Sequence, residues 1–236
     1  MTASNDMHKA EEEFVRYHDK LWRELDEANT HFSVVKYISN ASKEYPEELN
    51  QSPNFWRLTM NAHMYSTLMH LNNLFGKGAK EKHLHMRSFL DFVKENLKEN
   101  SAIFSREAFE KRLRTANRNY ELAAEFDSQI TIEKVERDIE KLSKLPIPAL
   151  KAWRNRILSH INKNDIAQNV NIEKKYPVRT KHVAEIIDTL DKMLNDYRLA
   201  FDFLGTDRVL AIESGIKYIF DAIRSDLQIR KKPNKI

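Results

Sequence analysis

The sequence contains no cysteine and very little glycine or proline. The absence of cysteine from all 236 residues excludes disulfides, thiolate metal ligands and a cysteine nucleophile. Only 4 glycines and 6 prolines are present, too few to separate many short strands by turns. The composition, 41% hydrophobic and 31% charged, is typical of helices that bury one face and solvate the other. We therefore predict an all-α fold.

The sequence also lacks long apolar runs. None approaches the ~18 residues that a membrane-spanning helix requires. The N-terminal residues MTASNDMHKAEEEF are polar and acidic, whereas a signal peptide begins basic and continues apolar. We therefore expect a cytoplasmic protein with no membrane partner.

The net charge of +4 comes from one end of the chain. The C-terminal residues QIRKKPNKI contain four basic side chains and no acid, and without them the basic and acidic residues are equal in number. Net charge therefore does not by itself indicate a nucleic-acid partner. Two internal segments, Lys141–Asn164 and Lys111–Tyr120, are basic and contain no acid. We interpret the second as a solvated helix face.

Apolar residues recur at helical spacing along most of the chain. The predicted helices cover residues 6–30, 53–75, 83–98, 105–126, 131–145, 148–162, 180–204 and 206–227, with a short apolar segment at 31–43. Ser52-Pro53 is typical of an N-cap followed by proline at the first helical position, whereas YPEELNQSP is predicted as a turn. We predict an N-terminal helical extension (1–45), one helical domain (46–227) and a basic tail (228–236).

The segment PALKAWRNRILSHIN combines an apolar stripe with ionisable residues. On a helix that advances about 100° per residue, one face carries Leu150, Trp153, Ile157, Leu158 and Ile161. Arg154 lies within this stripe and His160 at its margin, whereas Asn155 points away from it. Burial of an unpaired arginine is prohibitive, so Arg154 requires an anion, a carboxylate or a watery interface. A core arginine paired with an acid therefore remains an alternative, with Glu121, Glu125 and Asp188 as candidate partners.

The spacing Arg154-Asn155-…-His160 resembles the R-x(4–6)-H motif of the HEPN superfamily, in which a polar residue often follows the arginine. The same spacing occurs between Arg57 and His63, but there leucine follows the arginine. A wider stretch resembles the AbiU-type branch of abortive-infection HEPN proteins, from SPNFWRLTMNAHMYSTLMHLNNLF through HLHMRSFLDFV to RNRILSH. This resemblance covers roughly residues 50–204.

The resemblance implies a HEPN-like helical bundle with additional N-terminal helices, which dimerises so that two R…H motifs face each other. The apolar stripe beside Arg154 is then the expected dimer interface. It also implies a metal-independent endoribonuclease of toxin or phage-defence type that acts on RNA without a cofactor. Arg154 and His160 are then the expected catalytic residues, and Asn155 orients the motif or contacts RNA. A cognate antitoxin or regulator is a further expected partner.

These residue types suit RNA cleavage, because RNA supplies its own nucleophile in the 2′-OH group. Histidine can move protons near neutral pH, and arginine can bind the scissile phosphate through two hydrogen bonds. The neighbouring basic residues Lys151, Arg156 and Lys163 are the predicted contacts with the RNA backbone. The alternative functions are a non-catalytic helical module that binds RNA or protein, and a purely structural scaffold.

The remaining histidines do not predict a metal site from their spacing. His83 and His85 are two residues apart and diverge on a helix, so they cannot chelate one ion there. His63 and His70 share a helix face but lie about 10 Å apart along the axis. We expect the apolar residues Met60, Met64, Met69 and Phe89 to belong to the core.

Overall fold

The computed structural model describes residues 2–76, 84–98, 103–116, 130–147, 150, 179–202 and 212–231. The regular elements in these ranges are all α-helices, which confirms the predicted fold class. They are α1 (Thr2–Ala41), α2 (Pro46–Asn50), α3 (Pro53–Phe75), α4 (Met86–Lys98), α5 (Arg106–Thr115), α6 (Ile132–Lys144), α7 (Thr180–Asp202) and α8 (Ile212–Lys231). In this part of the chain no helix has an apolar stretch long enough to cross a membrane.

Three helices differ from the sequence prediction. α1 runs without interruption through residues 30 and 31, where two separate segments were expected, because neither proline nor glycine occurs in Thr2–Ala41 to break it. The predicted turn YPEELNQSP contains the short helix α2, which begins at a proline. α8 continues to Lys231, so the first residues of the predicted basic tail are helical.

The ends of several helices are set by local side-chain chemistry. The hydroxyl groups of Ser105 and Thr131 accept hydrogen bonds from backbone amides three residues later, at the starts of α5 and α6. His85 has the same role before α4, since its Nδ1 accepts a bond from the Ser88 amide at 3.2 Å. α3 begins at Pro53 as predicted and is followed by Gly76, whose φ of 56° is the left-handed geometry that glycine favours.

The chain forms two compact units, which are described separately. Unit 1 comprises Met1–Leu25 and Leu71–Asp207, and unit 2 comprises Asp26–His70 and Arg208–Ile236. The core of unit 1 is centred on Phe14, whose ring stacks on Phe201 at 4.4 Å and meets Phe104 edge-on at 5.3 Å. Phe89, predicted as a core residue, is fully buried 5.6 Å from Phe14.

The core of unit 2 joins α1, α3 and α8. Phe220 of α8 is fully buried, with its ring centroid 4.8 Å from that of Tyr45 and 4.9 Å from that of Trp56. Arg224 closes one side of this core, since it donates to Glu48 at 2.6 Å and lies over the Tyr45 ring. Ring packing of this kind contributes about 1 kcal/mol per pair beyond the burial of area.

One face of α3 is apolar and exposed, contrary to the expected role of this helix in core packing. Met69, predicted as a core residue, is 42% exposed, and Met60 and Met64 are only partly buried. The exposed face also carries Phe55, Leu58 and Tyr65. Spacing of three and four residues places these side chains on one stripe, and such stripes are typical of binding surfaces.

A buried carboxylate in unit 1 connects α6 to α7. Asp138 is 1% exposed and accepts hydrogen bonds from the Tyr197 hydroxyl at 3.1 Å and the Lys134 ammonium at 3.0 Å. Lys134 also binds Asp196 at 2.9 Å, and Lys141 binds the second oxygen of Asp138. Burial, reinforced by the negative charge of Asp138, raises the pKa of Tyr197, so this phenol remains a hydrogen-bond donor at all physiological pH values.

A buried histidine connects α1 to α7 in the same unit. His18 is 1% exposed, and its Nε2–H donates to the backbone carbonyl of Leu194 at 3.1 Å. Burial lowers the pKa of His18, because the imidazolium form loses its hydration. His18 therefore acts as a structural donor that joins α1 to the backbone of α7.

We expect Asp138→Ala to destabilise the protein by about 3 kcal/mol, because it leaves buried donors on Lys134 and Tyr197 without this acceptor. The matched control is Glu140→Ala on the same helix, which removes an exposed pair with Lys144 and should leave the unfolding midpoint unchanged. Urea denaturation followed by circular dichroism measures both. Equal losses in the two variants would contradict the role of the buried network.

Candidate functional site

The predicted catalytic residues Arg154, Asn155 and His160 lie outside the described residues. The same is true of the predicted RNA-contacting residues, which are Lys151, Arg156 and Lys163. Residues 145–179, which carry these side chains, are called the motif-bearing segment. The structure does describe Leu150 within it and the helices on either side, α6 and α7. These elements show how the segment is attached to unit 1.

Leu150 anchors the start of the motif-bearing segment. Its side chain is 1% exposed, and its carbonyl accepts a hydrogen bond from the Asn72 side chain of α3 at 3.4 Å. Asn72 is itself 4% exposed, so this contact lies inside unit 1. Leu150 belongs to the stripe that the sequence analysis assigned to a subunit interface. Because it is buried within its own chain, Leu150 itself is not available to a second subunit.

The end of α6 leads directly into the motif-bearing segment. Leu145 follows α6 in an extended conformation, with ψ of 150°. This conformation is the one that the following Pro146 favours in its predecessor, so the helix ends here. The Ile147 amide then donates to the Leu145 carbonyl at 2.7 Å and closes a tight turn.

Of the three acids considered as partners of Arg154, the structure describes one. Asp188 is exposed on α7, whereas Glu121 and Glu125 lie outside the described residues. The pairing of Arg154 with an acid therefore stays a prediction.

The second basic segment is not simply a solvated face, because Arg112 of α5 has a structural role. Its guanidinium donates to the carbonyl of Phe201 at 2.7 Å and to Glu11 at 2.6 Å. It also donates to the Ile103 carbonyl and lies 3.9 Å from the centroid of the Phe201 ring. These contacts use three of the five N–H donors of Arg112 and pair its charge with Glu11, so we interpret Arg112 as a structural side chain.

Three histidines of unit 2 form a cluster that sequence spacing did not reveal. His31 of α1 lies between His63 and His70 of α3, with ring centroids 5.0 Å and 5.9 Å away respectively. The Nδ1 atoms of His31 and His63 are 2.8 Å apart, and burial together with the charge of His31 lowers the pKa of His63. His63 and His70 are about 10 Å apart along the axis of α3, too far to bind one ion as a pair. His31 of the neighbouring helix lies between them.

One residue completes this cluster. Glu27 lies one turn before His31 on α1, and the donor atoms of Glu27, His31 and His70 all lie within 4.8 Å of one another. The sequence contains both halves of this cluster: Glu27 and His31 are four residues apart, and His63 and His70 are seven residues apart. Only the packing of α1 on α3 brings these patterns together.

Comparison with known protein families matches residues 11–219 to the family HEPN_AbiU2, described as AbiU2. The match includes most of α1, so it extends beyond the region of resemblance found in the sequence. It also includes the segment that carries Arg154 and His160. No curated protein and no solved structure matched the chain.

Proposed function

We propose that this chain, which belongs to the AbiU2 family of HEPN proteins, is a metal-independent endoribonuclease of toxin or phage-defence type. The observation that carries the proposal is the Arg154-Asn155-…-His160 spacing within the matched residues 11–219. The chance copy of this spacing, Arg57 to His63, lies on α3, where His63 contacts His31 instead of an arginine. The motif copy at Arg154 is therefore the better candidate for the chemistry.

The proposed reaction is an internal transfer of the phosphate group. A histidine removes the 2′-OH proton, the 2′-oxygen bonds to phosphorus, and the bond from phosphorus to the 5′-oxygen breaks. A second histidine donates a proton to the departing 5′-oxygen. The products are a 2′,3′-cyclic phosphate and a 5′-hydroxyl. Two copies of His160, one from each subunit of a homodimer, supply the two proton-transfer groups.

The arginine of each motif balances negative charge on the phosphate. In the proposed mechanism Arg154 binds non-bridging oxygens through paired N–H groups, and these hydrogen bonds strengthen as charge develops on the oxygens in the transition state. Asn155 orients the motif or contacts RNA, and Lys151, Arg156 and Lys163 bind flanking phosphates. The start of this segment is fixed to unit 1 by the buried Leu150, which gives the motif a rigid point of attachment.

Dimerisation completes the proposed site, because one motif supplies only one histidine. A twofold axis beside the motif helix brings two identical motifs face to face. Leu150 is buried in its own subunit, so the stripe residues that remain for this interface are Trp153, Ile157, Leu158 and Ile161. A cognate antitoxin or regulator would act by covering the same surface.

Arg154→Ala and His160→Ala should each reduce RNA cleavage by at least about 10²-fold. This is the lower range for loss of a charge-stabilising donor in the first case and of a general acid–base group in the second. Cleavage of a labelled RNA by the wild-type protein should yield 2′,3′-cyclic phosphate ends. EDTA should leave the rate unchanged, because the reaction uses no metal ion.

The control for these variants is Arg57→Ala, which alters the chance copy of the motif at an exposed position and should retain full activity. An inert wild-type protein, combined with an Arg154→Ala variant that fails to fold, would contradict the nuclease proposal. That result would favour a helical binding module in which Arg154 is half of a buried ion pair.

RNA affinity should fall steeply as salt concentration rises, because phosphate contacts release bound counterions. Replacing Lys151, Arg156 and Lys163 with alanine should flatten the plot of log affinity against log salt. Filter binding to a single-stranded RNA at several salt concentrations measures this slope. Truncation after Gln228 removes the basic tail and should leave the slope unchanged; loss of binding in that truncation would place the contacts in the tail instead.

Light scattering at micromolar concentration should give a mass about twice 27.9 kDa. Ile157→Glu should dissociate the dimer, because it places a charge in the proposed interface. The matched control is Leu58→Glu on the exposed apolar face of α3, which should remain dimeric. If only the Leu58→Glu control became monomeric, the interface would lie on α3, which would contradict a site formed by two facing motifs.

A further inference from the structure

Two helices of unit 2 converge on a set of side chains with metal-ligand chemistry. We propose that Glu27, His31 and His70 bind a divalent transition-metal ion of the zinc class. Glu27 and His31 are four residues apart on α1 and therefore project from one face. His70 projects from α3, and the three donor atoms lie within 4.8 Å of one another. This site uses none of the residues of the RNA chemistry proposed above.

The distances fit an ion after small side-chain rotations. Zinc bonds of about 2.0–2.1 Å to nitrogen and oxygen place the donors of a tetrahedral site about 3.3 Å apart. The donor atoms therefore need to approach by no more than about 1.5 Å from their 4.8 Å limit. Glu27 is exposed and the two histidines are partly buried, so these rotations displace little of the packed core. Both helices keep their positions.

His63 supports the site from outside the ligand set. Its Nδ1 is 2.8 Å from the Nδ1 of His31, a distance at which the two ring nitrogens share one proton. With the proton on His31, the opposite nitrogen of that ring keeps its lone pair for the ion. Histidine ligands in metalloproteins usually make such a bond through the second ring nitrogen, which fixes the tautomer and ring orientation. His63 is therefore a positioning residue.

The donor types select the class of ion. Two imidazoles and one carboxylate favour zinc and neighbouring transition metals, whereas calcium and magnesium prefer sites built from oxygen. Three protein ligands also leave the fourth position of a tetrahedral zinc ion for water. An ion held by residues from both α1 and α3 stabilises unit 2, because it binds the folded form more tightly than the unfolded chain.

The test is zinc binding by the full chain without a histidine tag, after removal of metals by EDTA and dialysis. Isothermal titration with Zn²⁺ should show one site per chain in the micromolar range or tighter, and zinc should raise the melting temperature. Glu27→Gln, His31→Gln and His70→Gln should each weaken binding at least tenfold. His63→Gln should weaken it by about 10–100-fold while keeping one site, as expected for an outer-shell partner.

The matched control is His8→Gln. His8 and Glu12 are also a histidine and a glutamate four residues apart on α1, 3.3 Å from each other and exposed. Among the described residues no third ligand joins this pair, so the variant should bind zinc as the wild-type protein does. Circular dichroism of each metal-free variant verifies that the fold is intact.

A direct readout comes from His70→Cys, since a thiolate is also a zinc-class ligand. The chain contains no other cysteine, so a thiolate-to-metal charge-transfer band on addition of Co²⁺ reports an ion at this position. Three results would each overturn the proposal: wild-type protein that binds zinc only at millimolar concentration, zinc binding that the three ligand variants leave unchanged, or no charge-transfer band in His70→Cys. RNA cleavage is not part of this readout, so failure of the nuclease proposal leaves the result interpretable.

Discussion

The buried carboxylate of Asp138 fixes the two helices between which the motif-bearing segment runs. It accepts hydrogen bonds from Lys134 of α6 and from Tyr197 of α7, and Lys134 also binds Asp196 of α7. These bonds are directional and strong in a site from which water is excluded, so they fix the rotation of α6 against α7. α6 ends at Lys144 and α7 begins at Thr180, so the two helices that flank the motif-bearing segment are joined by this hydrogen-bond network.

Much of the fold followed from local chemistry that can be read along the chain. Pro53 after Ser52 predicted the start of α3, and the ends of α6 and α7 fell within two residues of their predicted positions. Burial was harder to predict, because α3 carries apolar residues on opposite faces. Leu68 and Leu71 are fully buried whereas Met69 is exposed. This difference depends on which elements pack against the helix. Periodicity identifies an apolar face but not what covers it.

The two candidate sites differ in how well they can be predicted from the sequence alone. The predicted RNA motif lies within seven consecutive residues, so spacing along the chain was enough to predict it. The histidine cluster joins residues that are 32 positions apart in the case of His31 and His63. Each helix carries only half of the pattern, and neither half is distinctive alone. Such a site becomes visible only when tertiary packing places the two helices side by side.

The two sites also require opposite behaviour from histidine. A general acid–base must gain and lose a proton near neutral pH, and so needs a ring nitrogen that no metal occupies. A metal ligand must keep its lone pair on the ion, which removes that nitrogen from proton transfer. His160 lies in unit 1, whereas His31 and His70 lie in unit 2, so one chain can meet both requirements. In the two proposals, an ion at the histidine cluster acts on the stability of unit 2, and RNA cleavage by His160 does not depend on it.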